Sequence, residues 1–136
     1  MKKIALLACM LLSMTLFAQN PRERLKSLKT AFITRELELT PEEAKDFWPV
    51  YEVYNDKVEK VREKQIRSIM KGRKATEEEA ETFVKEYLTT EKDMFQATEK
   101  LMKDLKDVIS AKKRARLIVA EREFGRRMLE RIRGRH

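Results

Sequence analysis

Leu39-Thr40-Pro41-Glu42-Glu43-Ala44 spells out a helix start, and the fold is read outward from it. Thr40 supplies a capping hydroxyl, and Pro41 fits the first helical position, where no amide hydrogen is needed. Glu43 completes a Thr-x-x-Glu capping box, and Leu39 is placed to staple onto Ala44. Downstream, Phe47, Val50, Tyr51, Tyr54, Val58, Val61 and Ile69 recur at helical spacing, predicting a helix to about residue 71 with Gly72 at its end. Pro49 inside it lacks a ladder donor and crowds the preceding turn, which predicts a kink near residues 46–48.

A second box, Thr76-Glu77-Glu78-Glu79, opens the third helix and sets acids at the positive end of its dipole. Ala80, Val84, Tyr87, Glu91, Met94, Thr98, Leu101, Leu105 and Val108 then alternate steps of four and three, a coiled-coil seam interrupted at Glu91 and Thr98. Ser110 can cap a fourth helix with Leu117, Ile118, Phe124, Met128 and Ile132 on its apolar face. Alternatively, the third and fourth segments run on as one bent helix. Upstream, Leu25, Leu28, Phe32 and Leu39 mark a first helix over residues 22–39. No window alternates like a strand. The expected fold is all-α, four helices in an antiparallel, hairpin-like elongated bundle. The apolar stripes of the second and third helices are wider than one neighbour covers, so a homodimer is expected.

Residues 1–18 read as a signal peptide: Lys2 and Lys3 precede a fourteen-residue apolar stretch over residues 4–17, and Ala18 is a small residue before a polar turn. That stretch is shorter than the ~20 residues of a spanning helix. A bacterial export signal implies a periplasmic protein, with one helical domain over residues 19–136. Cys9, the single cysteine, falls in the apolar stretch and reads as signal core, leaving the mature chain without thiols. The mature charge is +6, from 29 basic and 23 acidic residues. Residues 112–136 alone carry ten Lys/Arg against three Glu, so the excess is a property of the last helix.

Catalysis needs a nucleophile, a base or a metal held in place. The mature chain offers no cysteine, one histidine at its final position, His136, and no Gly-rich loop or Gly-x-Ser-x-Gly turn. An enzyme is not expected, and neither is a cofactor or a metal site. Two features remain as candidate partner-binding surfaces. One is the aromatic run Phe47-Trp48-Pro49-Val50-Tyr51, in which Trp48 and Tyr51 either anchor the first helix or leave a contact face exposed. The other is the basic run with Arg114, Arg116, Arg122, Arg126 and Arg127, either a solvated face or a contact for acidic protein. A weak contact with an anionic membrane surface is a further use for it. Nucleic acid is not expected, because the basic residues lack interleaved stacking aromatics.

Leu39-Thr40-Pro41-Glu42-Glu43 is similar to the Leu-Thr-x-x-Gln motif of the Spy/CpxP-type periplasmic stress proteins, which include zinc-resistance-associated and heavy-metal-sensor branches. A degraded second copy falls at Ile109-Ser110-Ala111-Lys112-Lys113, so Glu43 and Lys113 stand where the motif has Gln. Phe47-Trp48-Pro49-Val50-Tyr51, with Ala120-Glu121-x-Glu123-Phe124-x-Arg126-Arg127-x-Leu129, resembles small Bacteroidetes-type proteins described as sensors of extracytoplasmic-function sigma factors. The resemblance implies a four-helix, hairpin-built periplasmic dimer. Its implied role is an accessory of envelope-stress or sigma-factor signalling, acting by protein–protein contact. The alternative is an ATP-independent holdase that shields an unfolded client. The histidines of the metal-sensing branches are missing here.

Overall fold

A computed structural model of the chain describes residues 20–134, so the expected signal peptide, Cys9 and His136 lie outside the described residues. The described chain is all-α. Four helices follow in order, α1 (Pro21–Leu37), α2 (Pro41–Gly72), α3 (Glu77–Asp104) and α4 (Ala111–Arg133).

Each boundary has a local cause. The Asn20 side chain accepts from the Arg22 amide at 3.2 Å, and Pro21 occupies the first turn of α1. α1 stops because Glu38 turns left-handed, with φ 48 and ψ 49. Its amide bonds back to the Arg35 carbonyl, and the Leu39 amide reaches the Thr34 carbonyl. Leu39 is therefore in the turn and not in the first helix as expected. Both capping boxes close: Glu43 N to Thr40 Oγ1 at 3.2 Å with the reciprocal bond at 3.0 Å, and Glu79 N to Thr76 Oγ1 at 3.4 Å with its reciprocal at 2.8 Å. α2 continues through Pro49 to Gly72 without a break in the helix.

The third and fourth helices are separate. α3 ends at Asp104, and Leu105 and Val108 lie in a connecting turn. The Lys113 amide then donates to Ser110 Oγ at 3.2 Å, which starts α4. Leu105 and Ile109 point inward from this turn and are buried, so the connection is itself part of the core.

Bonds between helices give the topology. α2 and α3 run antiparallel, with Ser68 Oγ donating to Glu86 at 2.9 Å and Gln65 Nε2 to Glu91 at 2.5 Å. α1 and α4 also run antiparallel, through Lys29 with Glu121 and Glu36 with Arg116. α2 and α4 meet in parallel: Glu43 contacts Lys113 and Tyr51 contacts Glu121, each pair 70 positions apart. The core lies at the end where the turns 38–40 and 105–110 sit. There Ile33, Leu37, Phe47, Leu101, Leu105 and Leu117 are nearly or fully buried.

The structure corrects several expected core positions. Leu25 and Leu28 are exposed, while Ile33 and Leu37 are buried. Apolar residues occur all around α1, so spacing alone selects no face. In α3 the expected seam residues Val84 and Tyr87 are exposed, Glu91 reaches across to Gln65 on α2, and Phe83 and Thr90 turn inward. A Cβ at Gly72 would meet the Phe83 ring at 3.1 Å, so the glycine leaves the space that Phe83 fills. Ile69 and Ile118 are exposed, and Ala120 is buried.

Truncation at the base separates core from surface. Phe47→Ala is expected to lower unfolding stability by about 3–5 kcal/mol, and Leu25→Ala by no more than about 0.5 kcal/mol, both read from urea titrations.

Candidate functional site

The base of the molecule is tied together by charges from α4. The Lys113 ammonium donates to Glu43 Oε2 at 2.6 Å and to the Glu38 carbonyl at 2.8 Å. One side chain thus joins the start of α4 to the turn between α1 and α2. Glu43 and Lys113, 70 positions apart, are thus partners of each other. Arg116 pairs with Glu36 on α1 and with Glu123 at 3.6 Å. Arg114 Nη1 donates to the Met102 carbonyl at 3.1 Å, satisfying a last-turn carbonyl of α3, while its buried Nε has no partner. The hydrogen bond from Arg116 holds the Glu36 carboxyl below the usual range, and those from Lys113 and the Thr40 amide do the same for Glu43.

A second cluster lies deeper, where α1, α2 and α4 meet. The Tyr51 hydroxyl donates to Glu121 Oε1, Lys29 Nζ pairs with Glu121 Oε2 at 3.0 Å and donates to Asn55 at 2.9 Å. Lys29 also stands over the Tyr51 ring, 5.5 Å from its centroid. Burial first, and the Glu121 charge second, push the Tyr51 hydroxyl far above its ordinary value, so it stays protonated as a donor. Burial raises Tyr54 in the same way.

The sequence-derived contact residues are divided by this geometry. Tyr51 is buried, and Trp48 is half-buried, edge-on to Phe47 at 4.9 Å and to Tyr51 at 5.5 Å. Arg114 and Arg116 are half-buried and bonded within the chain. Arg122, Arg126 and Arg127 are exposed. Arg127 lies over the Phe32 ring at 4.8 Å and Arg126 is 3.9 Å from Glu130, whereas Arg122 forms no ion pair among the described residues. The capping residues Leu39, Thr40, Glu43, Thr76 and Glu79 do structural work at their helix starts.

The seam pattern concealed a different surface. Beyond the Arg22–Glu63 pair, α1 no longer covers α2, and among the described residues α2 and α3 continue alone as a two-helix arm. The arm is polar inside, with Gln65, Ser68, Glu86 and Thr90 at the helix interface. Its large apolar residues point out: Met70 is 71% exposed, Leu88 61%, Ile66 52% and Val84 50%. Ile66 and Ile69 follow the inward Gln65 and Ser68 by one position, as Val84 follows Phe83. In an antiparallel pair these offsets fall on the same side. Asn55, which bonds α1, shares that offset, so the bare apolar strip continues the face that α1 and α4 cover at the base.

Charge is also divided along the arm. Residues 57–74 carry eight Lys/Arg against two Glu, and residues 77–91 carry six Glu against one Lys. Attraction between the two helices therefore supplements a thin apolar contact, and added salt weakens it.

Comparisons with family models, curated proteins and solved structures return no match. Among the described residues no group of three or more His, Cys, Asp or Glu is placed to hold a metal ion. No described helix is long and apolar enough to cross a membrane.

Two titrations follow from these pairings. Glu36 and Glu43 have depressed carboxyls, so their contribution is present above the ordinary value of 4.5 and is lost as pH falls through their folded values. The urea midpoint is expected to drop on the acid side, and Glu36→Gln with Glu43→Gln to flatten that limb. Tyr51 has the opposite sign: its contribution is present below the ordinary tyrosine value of 10.0 and is lost above it, so Tyr51→Phe is expected to reduce alkaline destabilisation. For the Glu43–Lys113 contact, E43Q and K113Q are each expected to lower the thermal midpoint, and the double variant to lose less than the sum.

Proposed function

We propose that this chain is a periplasmic, non-enzymatic helical accessory of envelope-stress or sigma-factor signalling, and that it works by binding polypeptide along the arm formed by α2 and α3. The observation that carries the reading is the inverted arm, with polar residues between its helices and Ile66, Ile69 and Val84 in solvent along one side. An exposed apolar strip of this extent marks an interaction surface. The resemblance to the Spy/CpxP-type proteins supports the same reading, because its two motif copies start α2 and α4 and meet at Glu43 and Lys113. Arg122, Arg126 and Arg127 add a basic face for an acidic partner or an anionic membrane surface. A homodimer belongs to this proposal as one way of covering the apolar surplus. A compact monomer in sedimentation at micromolar concentration would exclude it.

The holdase reading is favoured by one feature: the apolar residues are strung along the arm and do not converge on a single socket. The two readings separate on a triple variant, Ile66→Ser, Ile69→Ser and Val84→Ser, which alters only exposed positions. In the signalling reading, deleting the gene shifts an envelope-stress sigma-factor reporter in the producing bacterium, and the triple variant fails to restore it. The purified protein then leaves aggregation of an unfolded client unchanged. In the holdase reading, the wild type slows that aggregation at stoichiometric dose and low salt, and the triple variant does not. If the triple variant matches the wild type in both assays, the arm is not the contact surface.

A further inference from the structure

α1 is held to the molecule in two different ways along its length. From Lys29 onward it is anchored: Phe32, Ile33 and Leu37 are buried in one core with Phe47 and Tyr51, and the Lys29 ammonium is pinned between Glu121 and Asn55. The first two turns, residues 21–28, bury no side chain, and Leu25 and Leu28 are 45% and 47% exposed. The ion pairs between this segment and α2 are Arg22 with Glu63 at 2.6 Å and Lys26 with Glu52 at 3.4 Å, all four side chains about half exposed or more. Exposed pairs of this kind hold weakly and are screened by salt.

The segment spans a space that it does not fill. Between it, α2 and α4 lies a groove of about 460 Å³, bordered by Arg22, Leu25 and Lys26 on α1 and by Val58, Phe124 and Met128 opposite. Val58 and Phe124 are kept from solvent, although little packs on them from the first two turns of α1. The groove also continues the bare strip of the arm, because Asn55, which bonds Lys29, shares the offset of Ile66 and Ile69. Lower down, the same face already accepts a helix, the anchored half of α1.

We propose that residues 21–28 are a latched cover over the inner end of the partner-binding face. With Arg22–Glu63 and Lys26–Glu52 closed, the apolar strip stops at the arm. A polypeptide arriving along the arm displaces the segment and gains Val58, Phe124 and Met128, so the latch sets the length of strip on offer and ionic strength sets the latch. This inference rests on the polypeptide-binding reading and adds its regulation.

The latch is tested by breaking it with charges of opposite sign. Lys26→Glu and Glu52→Lys each replace the pair by a repulsion at an exposed position, one making the chain more acidic and the other more basic; together they restore the pair in reverse. In the full chain, the amides of residues 25–28 are expected to exchange at least about tenfold faster than those of residues 33–37. Fraying alone gives that gradient, so the variants decide. Each single variant is expected to speed exchange at residues 25–28 about fivefold further and leave residues 33–37 unchanged, and the double variant to return to the wild-type rate. Reduced, carboxymethylated α-lactalbumin, which stays unfolded, is the binding probe. Both single variants are expected to bind it about fivefold more tightly than the wild type, and the double variant to match the wild type. Equal exchange in all four proteins, binding that rises in one single variant and falls in the other, or faster exchange without tighter binding would each overturn the proposal and leave polypeptide binding standing. Absence of binding by all four overturns the reading on which the proposal rests, and the proposal with it.

Discussion

The ammonium of Lys113 donates to two acceptors of different origin, the carbonyl of left-handed Glu38 and the carboxylate of Glu43. Glu38 ends α1 in a conformation that costs a non-glycine residue about 1 kcal/mol, and Glu43 already serves the cap of α2. A single cation from the first turn of α4 therefore stabilises the stop of one helix and the start of the next. Arg116 to Glu36 and Arg114 to the Met102 carbonyl extend the same principle to α1 and α3. All three cations leave α4 within four residues, so every turn at this end is referenced to the start of α4. The apolar core of Phe47, Leu105 and Leu117 packs at the same end.

The basic character of the last helix is accordingly of two kinds. Its N-terminal third is consumed by the fold, where partly buried pairs are shielded from solvent and depress the carboxyls they meet. Its C-terminal part, with Arg122, Arg126 and Arg127, stays in water, where ion pairs contribute little. The Lys29–Glu121–Tyr51 cluster lies between the two and satisfies its members mutually.

The helix starts were legible in the sequence because capping is local: Thr40, Thr76 and Ser110 each bond within three residues, and the sequence alone contains both partners. Which face each helix buries was less legible, because it depends on residues far away. Phe83 packs against Gly72, eleven positions earlier, where a Cβ would crowd its ring, while Val84 and Tyr87 lie outside the expected seam. Ile33 replaces Leu28 in the core because α4 selects the face of α1. The arginines were correctly visible as a cluster, but the acids that neutralise Arg116 and Lys113 lie 80 and 70 positions away. No local pattern distinguishes a cation used by the fold from one left for a partner.

The two ends of α2 live under different constraints. Near Phe47 the helix is enclosed on several sides, and opening it requires breaking the whole core. Near Ser68 it has one neighbour, held by polar contacts and by attraction between a basic and an acidic helix. Local opening thus costs least at the turn 73–76 and progressively more toward the base, a gradient of amide protection along a single continuous helix. A molecule that settles on the arm adds apolar burial where the chain has least of its own. For this segment, capture and stiffening are one event, and the entropy lost in ordering the arm sets how tightly anything can be held there.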